Sequence, residues 1–386
     1  MALNTDGTYS QVTGATNQAV GNVIPSATWN SIHSDLGTAI QQINGQVIAG
    51  QSIGKNLLFG NGGFEVWQRG AGVGSNIAVG ASSTAYTADR WYLFTSANQA
   101  SGVSAAAALT NQSGLSAKYI RTAGQTGVAQ MLFGYPLDND SIQQLRGQKV
   151  NISFTAKAGV NWSPAGGILT CQLATGVGSP VKVSVGYTSQ VLISNFTAAL
   201  TTGVTRFTNV GIVLAGLTIT QAELLFVWTP VGTAGADDSF TIDDVQVEIQ
   251  QSSSNATSTV WTTTQYDRVP YEFMLADCQA HFQKTFPYGT APAQNAGTAG
   301  CLVQVSQAAA AKVGAYIRYS PPMRTIPVHT TYNPQGASAN WQDITGAVSV
   351  TVVATATSST GIFIYSSNVN AASSLVYIHY SLDAGI

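Results

Sequence analysis

Charged side chains are scarce in this sequence. Asp, Glu, Lys and Arg make up 8% of the 386 residues, with a net charge of −2, whereas about a quarter is usual. No run of Lys or Arg occurs, and strong nucleic-acid binding needs clustered basic residues to displace counterions. A surface with so few charges must be hydrated by Ser, Thr, Asn, Gln and Gly. The composition therefore argues against a nucleic-acid partner and is typical of extracellular β-structure and of virus particle proteins.

Long apolar runs and a cysteine framework are missing as well. No apolar run approaches the 18 or more residues of a membrane helix, so we expect no membrane insertion. The first residues hold no basic start and no apolar segment, which predicts a chain without a signal peptide. The three cysteines, Cys171, Cys278 and Cys301, are far apart. Their number and spacing fit neither a disulfide framework nor a metal site, and we predict free, buried thiols.

What the sequence does contain begins with one helical pattern near the N-terminus. Pro25 and Ser26 form a helix start, and Gly45 ends a helix predicted at about 27–44. Its apolar positions repeat at spacings of three and four residues, as in a coiled-coil seam; they are Trp29, Ile32, Leu36, Ala39 and Ile43. Two interpretations stay open, a single helix docked on a domain and a short parallel coiled coil that joins subunits. In either case residues 1–55 are predicted to be an adaptor without its own core.

Strand patterns dominate the rest of the chain. Between 56 and 250, runs such as "KVNISFTAKA" and "AELLFVWTP" recur every 10 to 25 residues with turn residues between them, which predicts an antiparallel sandwich or jelly roll. A Ser/Thr/Asn linker is predicted at 251–264. The fold class is therefore all-β, a jelly-roll sandwich plus a second, smaller β-domain.

The second β-domain is predicted at 265–386 and opens with one helix. Pro270 suits the first turn of that helix. Tyr271, Leu275, Cys278 and Phe282 repeat at spacings of four, three and four, which predicts one apolar face. Strand runs follow from residue 300 to the C-terminus.

Catalytic motifs are weak throughout. The four histidines have no second ligand at metal spacing, and neither a GxSxG nor an HExxH motif occurs. A glycosidase would need two facing carboxylates, which a sequence cannot pair in space. We therefore predict that the protein is not an enzyme.

Acidic residues at both ends of the predicted jelly roll suggest a cation site. Glu65 follows the opening strand, and Asp243 and Asp244 lie in the closing strand. First and last strands of a jelly roll commonly lie close together, and carboxylates with loop carbonyls suit Ca²⁺. We predict structural calcium at Glu65, Asp244 and Asp243; the alternative is that these acids form turns and surface pairs.

Aromatic residues offer the other candidate site, because exposed rings can stack on sugar rings. Core packing is the alternative for each Trp, and we predict it for Trp67 and Trp91. Trp162 lies in the loop "GVNWSPAGG" and is the best candidate for exposure. Trp162, Tyr135 and Trp228 are the predicted carbohydrate-binding residues.

Three stretches together resemble a known family. "NLLFGNGGFEVWQRG" at 56–70, "YTADRWYL" at 86–93 and "FTIDDVQVEI" at 240–249 are similar to a carbohydrate-binding-module-like jelly roll of bacteriophage tail and head fibre proteins. The helix after the linker and the N-terminal residues also resemble segments of those proteins. His281 stands where that family usually has an aromatic residue or Arg.

The resemblance implies a virion structural fibre protein. It would be a homotrimer, attached to phage tail or capsid proteins through its N-terminus and bound to host cell-surface polysaccharide. It would be made in the host cytoplasm and act on the extracellular particle. Two alternatives remain, a decoration or spacer fibre that binds no glycan, and a polysaccharide depolymerase.

Overall fold

The computed structural model describes residues 2–3, 9–10, 56–58, 60–70, 76–96, 101–213, 217–249, 263–308, 311–345, 348–355, 357–366 and 373–385. The chain divides into two compact units, 1–55 and 56–386. In the first unit, strands β1 (Ala2–Leu3) and β2 (Tyr9–Ser10) pair antiparallel. The predicted helix at 27–44 and its seam lie outside the described residues, as does most of the predicted linker.

The first part of the second unit is a sandwich of two antiparallel six-stranded sheets. The strands and the short helix between β8 and β9 are β3 (Asn76–Val79), β4 (Ser83–Tyr86), β5 (Tyr92–Thr95), β6 (Ser101–Ala107), β7 (Leu115–Arg121), β8 (Met131–Pro136), α1 (Asn139–Leu145), β9 (Lys149–Ala158), β10 (Ile168–Val177), β11 (Thr188–Ala199), β12 (Thr205–Val213), β13 (Gln221–Trp228) and β14 (Ser239–Ile249). The spatial orders are β11-β10-β13-β8-β5-β4 and β12-β9-β14-β7-β6-β3. The predicted all-β sandwich is confirmed.

An aromatic core fills the space between the two sheets. Alternate residues of β13, among them Leu224, Phe226 and Trp228, point into it, as the period of two along a strand requires. Trp91 stacks on Phe133 with ring centroids 4.9 Å apart. Trp67 and Trp91 are both buried, as predicted. Truncating one of these rings to Ala would cost about 3–5 kcal/mol, because a close-packed core cannot refill the cavity.

The C-terminal part has its own, smaller core around Trp341, Ile362 and Ile378. Its elements are helix α2 (Tyr271–His281) and strands β15 (Phe282–Lys284), β16 (Leu302–Val305), β17 (Gly314–Arg318), β18 (Val328–Tyr332), β19 (Trp341–Asp343), β20 (Val348–Val350), β21 (Val352–Thr355), β22 (Gly361–Ser366) and β23 (Leu375–Asp383). The long strand β23 pairs with β15, β16, β18 and β19, whereas β17, β22 and β21 form a separate three-stranded sheet.

Helix α2 buries a different face from the one that we predicted. Its buried side chains are Met274, Cys278 and His281, whereas Tyr271 is 39% exposed. Phe282 is buried but already begins the next strand. The buried face therefore shares Cys278 with the predicted one but includes His281, which belongs to a polar cluster described below.

Two smaller expectations concern the thiols and the membrane. All three cysteines are free, and Cys171 and Cys278 are buried as predicted, but Cys301 is only half-buried. Within the described part of the chain, no helix has the length and apolar character to cross a bilayer.

Candidate functional site

The opening stretch 56–70 is held together around the side chain of Asn61. Its Nδ2 donates to the carbonyls of Val66 and Asp89, and its Oδ1 accepts from the Val66 amide. The Asn61 carbonyl accepts from the indole Nε1 of Trp91 at 2.9 Å. Asp89 in turn accepts from the amide and the side chain of Gln68. The first two stretches of the family resemblance, 56–70 and 86–93, are therefore joined by one buried hydrogen-bond network.

Two glycines in this stretch are required by close approach. A Cβ on Gly62 would lie 2.5 Å from the carbonyl oxygen of Val245, and a Cβ on Gly63 would lie 2.8 Å from the hydroxyl of Tyr266. No larger residue fits such separations without movement of the backbone. The stretch thus lies directly against the closing strand β14 and the segment after it.

Two arginines of these stretches form ion pairs with the C-terminal part. Arg69 pairs with Asp383 at 2.7 Å, and its guanidinium lies 3.9 Å from the centroid of the Phe282 ring. Arg90 pairs with Asp138 at 2.8 Å and with Asp277 at 3.1 Å. The stretch 56–70 and the adjacent Arg90 therefore connect the sandwich to the C-terminal part.

A cluster of Asp138, Asp277 and His281 lies beside Arg90 in an open cleft of about 530 Å³. Burial, the largest single cause, would raise the pKa of Asp138, but the charge of Arg90 and the contacts with His281 together outweigh it and hold that pKa well below its usual range. Burial, helped by Arg90, lowers the pKa of His281. Among the described residues, this is the one group of three His, Cys, Asp or Glu whose ligand atoms lie within 4.8 Å of one another. Because the guanidinium already occupies its centre, the group is an ion-pair network rather than a cation site.

Neighbouring donors contact the acids of the predicted calcium site. Asp243 accepts from the Leu109 amide, the Ser113 hydroxyl and the Asp244 amide. Glu65 accepts from the Gly114 amide and pairs with Arg268 at 2.9 Å. These donors would compete with a cation for the same oxygens.

Asp243 and Glu65 therefore hold the 107–114 loop against the closing strand, which is the alternative role that the sequence left open. Two oxygens of the three acids lie outside these contacts, since the buried Oδ1 of Asp244 accepts no hydrogen bond and both contacts of Glu65 use Oε1. Structural calcium at Glu65, Asp244 and Asp243 therefore stays a prediction.

The predicted sugar-stacking residues lie in the core instead. Tyr135 and Trp228 are 1% and 3% exposed, so neither ring can reach a ligand. Trp162 is half-buried and packs against Phe240 with ring centroids 5.3 Å apart, while its Nε1 donates to the Gly167 carbonyl. The prediction is corrected for Tyr135 and Trp228, because both faces of their strands are covered; Trp162 closes one end of the core.

A pocket of about 240 Å³ opens on the outer face of one sheet, over the neighbouring strands β12, β9 and β14. Most of its lining side chains carry hydroxyl, amide, carboxylate or guanidinium groups; they are Thr110, Gln112, Thr155, Val204, Arg206, Asp244, Gln265 and Tyr266. Such a set offers both donors and acceptors to a polyhydroxylated ligand.

Two buried polar atoms of this pocket have no hydrogen-bond partner, Thr155 Oγ1 and Asp244 Oδ1. A buried polar atom without a partner costs roughly 1–3 kcal/mol, so such atoms point to a missing ligand or water. Burial raises the pKa of Asp244, and its backbone has the unusual φ of +48°. Arg206 donates to Ser153 at 2.7 Å across the same face.

The sequence pointed to only one member of this pocket. Asp244 was predicted to bind a cation, whereas Thr155, Arg206 and Gln265 were missed. The bulge between Asp243 and Gln246 turns Asp244 toward the pocket, and a bulge of this kind commonly re-aims a side chain near a functional site. The paired Asp-Asp in the closing strand was the one signal available.

The outer face of the other sheet is closed by the segment 177–187. Val181 and Val183 pack on a cluster that contains Tyr92 and Leu225. Beneath them, Glu223 Oε2 accepts from the Val183 amide at 2.8 Å and from the Tyr187 hydroxyl at 3.0 Å. Burial raises the pKa of Glu223 from 4.5 to about 7. This face holds a carboxyl group that solvent does not reach.

Comparison with known proteins gave structural likenesses alone. No protein family and no curated protein matches the chain. Among solved structures, the enzymatically active domain of bacteriophage CBA120 tailspike protein 4 is 13% identical, with a TM-score of 0.28, over 42% of this chain and 19% of that one. A CBM4 structure is 17% identical, with a TM-score of 0.29, over 50% of this chain and 99% of that one. A xylan-binding domain from CBM 22 is 14% identical, with a TM-score of 0.29, over 46% and 96%.

These likenesses are partial, and nothing about binding passes from those proteins to this chain. The chain spans about a fifth of the tailspike structure that it matches. The sandwich is established by the two sheets themselves, and the candidate site by its own side chains.

Proposed function

We propose that this protein is a virion fibre protein that recognises host cell-surface polysaccharide through the pocket over β12, β9 and β14. The proposal combines the family resemblance of the sequence with the chemistry of that pocket. It includes attachment to the particle through the N-terminal residues and assembly into a homotrimer. Several copies on one particle would turn weak single-site binding into firm adhesion.

The observation that carries the proposal is the pair of solvent-exposed polar side chains at the opening of this pocket, Arg206 and Gln265. A sugar hydroxyl donates one hydrogen bond and accepts others, so it can pair with the guanidinium donors of Arg206 and with either group of the Gln265 amide. Val204 and the Tyr266 ring add apolar surface for the C–H faces of the sugar.

Binding without cleavage is part of the proposal. Glycoside hydrolysis needs a carboxylic acid and a second carboxylate about 5–10 Å apart across the scissile bond. Asp244 is the single acid in the pocket lining, and Asp243 is held by three donors. A role as a non-binding spacer is the competing account, and it requires no binding to host cells.

The test measures binding of the purified protein to intact candidate host cells, with and without their surface polysaccharide, together with release of reducing sugar. The matched variants are Gln265→Ala, which removes an exposed amide from the pocket opening, and Gln148→Ala at an exposed position outside the pocket. We expect polysaccharide-dependent binding without sugar release, weakened about tenfold by Gln265→Ala and unchanged by Gln148→Ala.

Three outcomes would contradict the proposal. Absence of binding would favour a spacer fibre, and release of reducing sugar would favour a depolymerase. Equal binding by the two glutamine variants would exclude this pocket as the recognition site.

A further inference from the structure

The three-stranded sheet of the C-terminal part leaves one aromatic face open to solvent. In the pairing of β17 with β22, Tyr316 lies opposite Phe363, and Gly314 lies opposite Tyr365. Tyr316 is 60% exposed and Phe363 is 37% exposed. Residues between them in sequence, such as Ile362 and Ile364, point to the core on the other side. The face is therefore an aromatic surface laid over a rigid, packed sheet.

The rings lie flat on this face because glycines make room for them. A Cβ on Gly314 would lie 2.8 Å from the Cβ of Tyr365 and 3.0 Å from the Cζ of Phe363. A Cβ on Gly361 would lie 2.6 Å from the Cζ of Tyr316. Glycine weakens a strand, and it commonly marks a place where another group approaches closely.

Phe363 and Tyr365 stack with ring centroids 5.7 Å apart and planes inclined by 30°. Together with Tyr316 they form what we call the aromatic face. The exposed parts of Tyr316 and Phe363 leave aromatic surface on which the C–H face of a sugar ring can stack. Large exposed apolar areas of this kind mark interaction sites.

Charge around the aromatic face has one sign. Lys312 is exposed, with its Nζ 5.4 Å from the centroid of the Tyr365 ring. Arg318 is exposed and lies opposite Gly361 on the same side of the sheet as Tyr316. From residue 285 onward the sequence contains two acids, Asp343 and Asp383.

Neither acid neutralises the two cations. Asp343 is fully buried, and Asp383 pairs with Arg69 at 2.7 Å. The potential at the aromatic face is therefore positive, and it complements an anionic ligand.

We propose that the aromatic face is a second glycan-binding site, selective for a polysaccharide that bears carboxylates. The rings Tyr316, Phe363 and Tyr365 contact the sugar faces, and Lys312 and Arg318 pair with the carboxylates. This inference rests on the proposed function in that it concerns the same class of ligand, but it assigns a different site and a charge requirement.

The test is native gel electrophoresis of the purified full-length protein through gels containing alginate, a polymer of uronic acids, or neutral dextran. The wild-type protein is expected to be retarded by alginate and not by dextran. Tyr316→Ala/Phe363→Ala should raise the apparent Kd for alginate at least about tenfold, as expected for central aromatic contacts. Added salt should reduce the retardation of the wild type by alginate. Lys312→Gln/Arg318→Gln leaves the rings in place, and its retardation should no longer depend on salt.

Two matched controls separate the alternatives. Val305→Ala removes an exposed side chain from β16, outside the three-stranded sheet, and should leave retardation unchanged. Gln265→Ala at the jelly-roll pocket should weaken binding to host cells while retardation by alginate persists.

The inference is overturned if alginate does not retard the wild type. It is also overturned if Tyr316→Ala/Phe363→Ala and Lys312→Gln/Arg318→Gln both migrate like the wild type. It is also overturned if sedimentation shows that Tyr316→Ala/Phe363→Ala lowers the oligomeric state, because the face would then be covered by a second copy of the chain. The proposed function fails by a different result, the absence of polysaccharide-dependent binding to host cells.

Discussion

The buried carboxyl group of Glu223 makes the stability of the sandwich depend on pH. Its side chain lies on the outer face of β13 and is fully buried beneath the segment 177–187. Gly134 on the neighbouring strand provides the space, since a Cβ there would clash with Glu223 Oε1. The donors Val183 and Tyr187 only partly offset the desolvation of a charge at this position.

The size of the effect follows from the pKa of Glu223, which burial raises from 4.5 to about 7. Between these values the unfolded chain has released the proton while the folded protein still holds it. Stability is therefore unaffected by this group below about pH 4.5, and it falls as the pH rises toward 7. A tenfold difference in proton affinity corresponds to about 1.4 kcal/mol, so the full loss is about 3 kcal/mol.

Glu223→Gln removes this loss, because the neutral amide can still accept from the Val183 amide. We expect the variant and the wild type to differ little at pH 4.5, and the variant to be more stable by about 3 kcal/mol at pH 8. Urea unfolding followed by Trp fluorescence at several pH values measures the difference. With a slope of about 1–3 kcal/mol per molar urea, the midpoint should differ by about 1 M or more.

Glu272→Gln is the matched control, since Glu272 is an exposed carboxylate in helix α2. It should follow the wild type at every pH. A constant difference between wild type and Glu223→Gln from pH 4.5 to 8 would refute the reasoning. So would a variant that is less stable than the wild type at pH 8.

Two further predictions concern the buried ion pair and the N-terminal seam. Arg121→Met should destabilise the sandwich by about 3–5 kcal/mol, measured as the urea midpoint, because the buried carboxylate of Asp238 keeps its Ser163 donors but loses its charge partner, and three backbone carbonyls lose the guanidinium donor; an unchanged midpoint would contradict this. Ile32→Asp together with Leu36→Asp should convert trimers to monomers in sedimentation if the seam joins subunits, and an unchanged sedimentation coefficient would exclude the coiled coil.

Much of the fold could be predicted from the sequence by itself. Alternating apolar runs separated by turn residues determine an all-β chain, because a strand with one buried face needs a period of two. The predicted burial of Trp67 and Trp91 is also confirmed. The stretch 56–70 carried part of the family resemblance, and the glycines there are now explained by separations that a Cβ would violate.

Which side of a strand faces solvent was decided only by the tertiary structure. Trp228 was predicted to bind sugar, yet it points into the core between the two sheets, and the segment 177–187 covers the other face of β13. Thr155 and Asp244 meet because β9 and β14 are neighbours in the sheet, and sheet order depends on the packing of the whole sandwich. Local pattern determines what a segment becomes, whereas the pocket and the aromatic face arise where segments distant in sequence are brought together by burial of a common core.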